Sequence, residues 1–248
     1  MIGIILSMIG VKKLALVALG WRKRAVAAGK FPIAKPLDRV NIEILADPDF
    51  QRSVNEVEGL TLLDTARLAN LWQLCRATDL TGAMLEVGSF RGGGALHLSN
   101  CCPTRTIIAC DSFQSFEVID PMLDLNFKKG EFADTQYERV SALFSSRNRP
   151  GKVFAGFFPA SVSGSKLPMI SFVHLDVDIY KATRESLVFL FQRGMLMDRS
   201  LIVLDDFRRS AKGVDQAVAE TIEEHPDWIC IPIFPGQGLM LRKSYFMG

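Results

Sequence analysis

Two short runs hold the residues best placed for chemistry: Phe172-Val173-His174-Leu175-Asp176-Val177-Asp178-Ile179-Tyr180 and Leu201-Ile202-Val203-Leu204-Asp205-Asp206-Phe207. Each is an apolar, strand-like stretch that ends in aspartates. Strand side chains alternate, so Asp176 and Asp178 share a direction if the extended geometry persists. Carboxylates crowded at one edge repel and raise each other's pKa unless a cation or basic partner is present. Oxygen-only donors of this kind suit a hard divalent ion such as Mg²⁺, which could also hold a diol. The structural alternative is capping, with Asp178 ahead of a helix near Ala182 and Asp205 or Asp206 in a turn.

A second constellation is Leu85-Glu86-Val87-Gly88-Ser89-Phe90-Arg91-Gly92-Gly93-Gly94-Ala95. Gly88 permits a tight turn, and Gly92 to Gly94 let backbone amides approach a ligand at a helix N-terminus. The spacing is neither the G-x-G-x-x-G of dinucleotide-binding folds nor a P-loop. Asp111 follows at roughly the 20-residue distance at which a carboxylate can accept ribose hydroxyls. A loop acid capping a turn is its alternative. Glu86 could meet a cofactor's ammonium group or buttress the loop. His174 reads as a strand-interior histidine satisfied by a hydrogen bond, although it is also the alternative base. His97 and His225 read as structural. Tyr180 lines an acceptor site or packs under the next helix, and Phe113 and Phe116 border a base or fill the core.

These residues need elements to position them. Helical spacing predicts one helix over Leu60 to Thr78. Strands are predicted at 83–87, 106–110, 152–155, 170–175 and 200–204, with helices at 95–102, 182–194 and 214–225. That alternation argues for a parallel sheet covered on both faces. Trp228 to Phe234 and Leu239 to Arg242, joined by Pro235-Gly236-Gln237-Gly238, must pair antiparallel, with Pro232 confined to an edge or bulge. The fold class is thus α/β, a Rossmann-like, doubly wound, mostly parallel sheet with a C-terminal antiparallel hairpin. Residues 31–60, with Pro32, Pro36 and Pro48, read as an irregular connector.

The 248 residues, 48% of them hydrophobic, suit one large α/β domain. We divide the chain into a helical or irregular extension, 1–55, and a cofactor-binding domain, 56–248. The net charge of +2 gives no reason to expect nucleic acid. The five cysteines, Cys75, Cys101, Cys102, Cys110 and Cys230, match no zinc or disulfide spacing and read as buried free thiols in a reducing cytoplasm. Met1 to Gly20 is apolar but contains Lys12 and Lys13, each costing roughly 2.5–3.5 kcal/mol at a bilayer centre. It reads as an amphipathic helix rather than a span, packing on the domain, a second subunit or a membrane surface.

The motifs Glu86-Val87-Gly88-Ser89-Phe90-Arg91-Gly92-Gly93, Asp111-Ser112-Phe113, Leu175-Asp176-Val177-Asp178-Ile179-Tyr180 and Leu204-Asp205-Asp206-Phe207 resemble, in order and content, the macrocin O-methyltransferase family. Lys212 to Val218 also fits, and the likeness covers roughly residues 55–243. It implies a class I methyltransferase that uses S-adenosylmethionine and Mg²⁺ to methylate hydroxyls of antibiotic sugars. By that resemblance Asp176, Asp205 and Asp206 are metal ligands and Asp178 is the general base. Glu86, Gly88, Ser89, Gly92, Asp111 and Ser112 bind the cofactor, and Phe207 stands where the family more often has Tyr. The competing classes are a nicotinamide-dependent oxidoreductase on a similar sheet and a non-catalytic cofactor-binding protein.

Overall fold

A computed structural model describes residues 42–209 and 211–246. The expected amphipathic segment Met1 to Gly20, with its possible membrane-surface contact, lies outside the described residues. Helices α1 (Ile42–Ala46), α2 (Pro48–Glu56) and α3 (Thr65–Arg76) precede strand β1 (Ala83–Val87). Then follow α4 (Gly93–Cys101), β2 (Ile107–Asp111), α5 (Tyr137–Ser145), β3 (Gly151–Ala155) and β4 (Ile170–Leu175). The chain continues through α6 (Tyr180–Gln192), β5 (Leu196–Leu204), α7 (Lys212–Glu224), β6 (Trp228–Ile233) and β7 (Gln237–Arg242). The sheet order is β3-β2-β1-β4-β5-β7-β6. The first five strands in that order pair parallel, while β7 pairs antiparallel with both β5 and β6. Topology reverses between β1 and β4, the place where open α/β sheets bind ligands.

Alternation along each strand feeds two separate cores. Met84, Ile107, Ala109, Phe172, Leu201 and Val203 pack beneath α2, α3 and α4. Leu85, Val87, Ile108, Val173, Leu175, Ile202 and Leu204 pack beneath α6 and α7. The same parity carries Glu86, His174 and Asp205 onto the α3 and α4 side, which matters for the site. Pro232 lies on β6, the sheet edge, where its missing N–H breaks no ladder bond to a further strand. Among the described residues no helix is long and apolar enough to cross a membrane.

Three readings need correction. The connector 31–60 contains α2, which starts where Asp47 accepts the Asp49 amide and buries Phe50. Proline at the first helical position, rather than a break, is what Pro48 contributes. The helix expected from Leu60 begins at Thr65, because Asp64 caps it by accepting the Arg67 amide at 2.9 Å. Gln237, read as a turn residue, is the first residue of β7.

His97 on α4 fastens the N-terminal helices to the domain. Its Nε2–H donates to the Leu68 carbonyl (3.0 Å), and its Nδ1 accepts from the Ser53 hydroxyl (2.8 Å). The ring lies 5.6 Å from Phe50 and 5.2 Å from Trp72. Burial pushes its pKa from 6.5 down to about 4. The unfolded chain therefore takes up a proton that the folded chain refuses, so stability is lost as pH falls from 6.5 toward 4. The shift corresponds to about 3 kcal/mol. His97→Gln, which offers a donor and an acceptor without titrating, should lose that much less over this interval when urea melts of the two proteins are compared. Parallel acid losses would contradict the assignment.

Candidate active site

β1 and β4 run in register with Glu86 beside His174. His174 Nδ1 lies 3.0 Å from Glu86 Oε1, and its Nε2 lies 3.9 Å from Asp205 Oδ1. Burial opposes a charge on this ring, but Asp205 and Glu86 outweigh it and push the pKa up to about 10. His174 is thus driven toward its protonated form inside the sheet row; its Nδ1 is hydrogen-bonded, as its strand-interior position suggested, while its Nε2 is buried without a hydrogen-bond partner. The other oxygen of Glu86, Oε2, is buried and has no hydrogen-bond partner. A cavity of about 270 Å³ opens beside it.

That cavity gathers nearly every candidate residue. Glu86, Gly88, Ser89, Asp111, Ser112, Asp176, Asp178, Asp205 and Asp206 all line it. Gly92 does not: it takes the left-handed turn into α4 (φ +84), packed within 2.9 Å of Val140 and Leu143 were it to carry a Cβ. Gly88 has φ +87, and a Cβ there would stand 1.8 Å from the Asp176 carbonyl oxygen. The glycine loop therefore crosses the end of β4 at backbone contact, which is how the loop and the aspartates come to share one cavity.

Asp111 is oriented by two amides, Phe90 N to Oδ2 and Phe113 N to Oδ1, both at 2.7 Å. Burial raises its pKa, and these hydrogen bonds oppose the rise. Phe90, Phe132, Phe116 and Phe127 form an edge-to-face series with centroids 5.6–6.0 Å apart. All four line the cavity. They give it an apolar wall that can take a planar ring. Phe116 is thus a cavity residue, whereas Phe113 packs on Tyr137 and the core. Phe90, Phe132, Asp178 and Asp206 have φ between +50° and +64°. Left-handed backbone at non-glycine residues gathers where the surrounding structure over-determines it, as at ligand sites.

The aspartates are not caps. The amide of Tyr180, first in α6, is taken by the distant Asp124 at 2.9 Å, which leaves Asp178 free. The Tyr180 hydroxyl donates to Glu220 on α7 at 2.8 Å, so this ring packs with the following helix rather than lining the cavity. Burial raises Asp176 well above the carboxylate range, helped by the charges of Asp205 and Asp178. Burial and the charges of Asp206 and Asp205 likewise raise Asp178.

The residue missed in the sequence is Arg67. Its Nη1 bonds Asp205 Oδ2, and its Nη2 bonds Asp206 Oδ1 at 2.9 Å. Gln237 Nε2 holds the other Asp205 oxygen at 2.7 Å, and Asn70 on α3 holds Gln237 Oε1 at 2.9 Å. A basic residue in the first helical turn runs against the helix dipole. That signal was hidden because the helix appeared to start earlier.

A mostly parallel seven-stranded sheet, closed by an antiparallel pair, with a glycine loop and acids at one carboxyl edge, is the class I methyltransferase fold. Solved structures agree. The chain is similar to the O-methyltransferase NovP, with 17% identity, TM-score 0.60, and 89% of this chain and 88% of that chain covered. It is similar to the calicheamicin methyltransferase CalS11, with 18% identity, TM-score 0.54, and 79% and 91% covered. It is also similar to the Podospora anserina methyltransferase PaMTH1, solved with S-adenosylhomocysteine, with 12% identity, TM-score 0.56, and 86% and 98% covered. No curated protein sequence matches. The family model of macrocin-O-methyltransferase (TylF) matches residues 54–227, and the chain belongs to that family.

Gly88→Ala forces both a strained φ and a backbone clash. It should cost about 2–4 kcal/mol, lowering Tm by roughly 5–15 °C for a chain of this size. A melt within a degree or so of wild type would mean that the loop does not cross β4 as described.

Proposed function

We propose that the protein moves a methyl group from S-adenosylmethionine to a hydroxyl of a small molecule, a natural-product sugar foremost, assisted by a hard divalent ion such as Mg²⁺. The observation that carries the reading is Glu86, whose Oε2 is buried without a hydrogen-bond partner, in the lining of a cavity that also contains Asp111 and the aspartate set. A buried carboxylate oxygen without a partner calls for a hydrogen-bond donor, and the ammonium of the donor's methionyl part is one. Asp111 has lone pairs left for ribose hydroxyls, and the phenylalanine wall suits adenine. Family membership favours this reading over the oxidoreductase and non-catalytic alternatives.

The donor set also fits a hard cation. His174 is shared between Glu86 and Asp205, so Asp176, Asp178, Asp205 and Asp206 have Arg67 and part of His174 as buried counter-ions. Asp176, Asp205 and Asp206 would hold the metal, with Arg67 sharing Asp205 and Asp206. A divalent ion there would make a bound hydroxyl more acidic. Asp178, free of any capping duty and made more basic by its surroundings, takes the acceptor proton. The sheet edge and the glycine loop would position donor and acceptor beside one another, and positioning of that kind supplies much of the rate. We place this activity in the cytoplasm, since all five cysteines are free thiols.

Asp178→Asn should keep the thermal stabilisation by S-adenosylhomocysteine and lose turnover by about 10²–10⁴-fold. Unimpaired turnover would remove Asp178 as the base. Chelation should abolish wild-type turnover and added Mg²⁺ restore it; activity indifferent to chelator would remove the metal. Stabilisation by NAD rather than S-adenosylhomocysteine would overturn the class of reaction.

A further inference from the structure

Three cysteines separated in sequence meet at one buried point away from the cavity. Cys75 lies in the last turn of α3, Cys101 ends α4, and Cys102 follows it. The Cys75 and Cys102 sulfurs are 3.6 Å apart, and those of Cys101 and Cys102 are 3.9 Å apart. All three sulfurs lie within 4.8 Å of one another. Thiolates bound to one ion at about 2.3 Å stand roughly 3.8–4.0 Å from each other in tetrahedral or trigonal geometry. The thiols are therefore already near the spacing of a shared ion. A thioether, Met84 Sδ on β1, lies 3.2 Å from Cys75 Sγ.

Arg105 supplies an independent observation. It is 3% exposed and always charged. Its hydrogen bonds go to the Gly82 and Cys75 carbonyls and to the Thr78 and Ser171 hydroxyls, all neutral. Among the described residues no carboxylate pairs with it at ion-pair distance; Asp79, which feels its charge, is exposed and bonded to Thr81. Its Nη1 is, however, 3.4 Å from Cys75 Sγ and 4.0 Å from Cys102 Sγ. A buried charge needs a counter-charge, and these thiols are the groups beside it that can become anionic. Within the cluster, Cys101 and Cys75, together with Arg105, hold the Cys102 thiol well below its ordinary range, while Cys102 and burial push the Cys75 and Cys101 thiols up. Cys102 is therefore the readiest to ionise beside Arg105, and the other two need a metal to do so.

We propose that Cys75, Cys101 and Cys102 bind a thiophilic d¹⁰ metal ion, Zn²⁺ or Cu⁺, with Arg105 balancing the thiolates. Sulfur donors select soft ions and reject Mg²⁺, so this site and the aspartate rim would not exchange metals. Three thiolates with Zn²⁺ carry one negative charge, which Arg105 cancels; the adjacent thioether favours Cu⁺. Either ion would tie the end of α3 to the end of α4. Cys102 is 7% exposed and is followed by exposed Pro103 and Thr104, which gives the ion a short path in.

The test is a titration of the reduced, metal-stripped full chain under anaerobic conditions, in separate arms with Zn²⁺ and Cu⁺. Co²⁺ serves as the spectroscopic stand-in for Zn²⁺. We expect stoichiometric binding in competition with a chromogenic chelator, a thiolate-to-metal charge-transfer band, and a rise in Tm. Cys102→Ser and Cys101→Ser should each lose the band, while Cys110→Ser keeps it. Wild-type protein should also show protection of these thiols from alkylation when metal is present, a readout that needs no variant to fold. The arm that binds identifies the ion. Absence of a band and of protection in both arms overturns the proposal. So does binding undiminished in the Cys101 and Cys102 variants, or a Cys75–Cys102 disulfide in protein kept under reducing conditions.

Discussion

The structure depends on how it contains the excess negative charge at the carboxyl ends of β4 and β5. Asp176, Asp178, Asp205 and Asp206 sit together at that edge, and among the described residues the buried basic groups that reach them are Arg67, bonded to Asp205 and Asp206, and His174, 3.9 Å from Asp205. Breaking a buried ion pair on one side costs about 3–5 kcal/mol, so α3 must dock with Arg67 in place. Asp64 sets the helix start that points Arg67 inward, and Asn70, one turn on, braces Gln237 against Asp205. The C-terminal hairpin thus does more than close the sheet, because Gln237, the first residue of its second strand, fixes a carboxylate of the site.

The same demand reaches into the sheet. Parallel register places Glu86 beside His174, and strand parity turns both toward the face that Asp205 shares. An acid in the strand just before the glycine loop would be costly alone. His174 offsets one of its oxygens and leaves the other for a ligand. The first turn of α4 can lie against this carboxylate only because position 94 lacks a side chain: a Cβ there would lie 2.0 Å from Glu86 Oε1, the oxygen that faces His174. Packing in the core and chemistry at the cavity are therefore set by one row of residues.

Much of this was legible in the sequence. Short apolar runs ending in Gly88, Asp111, Asp176 and Asp205 mark strands whose carboxyl ends share an edge, since parallel order follows from the intervening helices. The aspartates and the glycine loop could be assigned to one site for that reason. What was not legible depends on side chains meeting across distant elements. Arg67 looked like one more polar position on a helix, and only the Asp64 cap reveals that it sits in the first turn. Asp124 takes the capping role that proximity suggested for Asp178. Gly92, expected at the cofactor, stands outside the cavity lining and close against α5, a helix that the sequence pattern did not mark. Cys75 and Cys101 carry no spacing that announces their meeting, because it arises from two helix ends converging.

The central claim is that the aspartate rim is an under-compensated anionic site, built to accept a divalent cation alongside Arg67. Calorimetric titration of Mg²⁺ into wild-type protein and Arg67→Gln, with folding of both checked by circular dichroism, tests it most directly. The account predicts stoichiometric Mg²⁺ binding to wild type and binding roughly tenfold or more tighter in the variant, since a competing charge has been removed. No Mg²⁺ binding by wild type, or weaker binding by a folded Arg67→Gln variant, would contradict it.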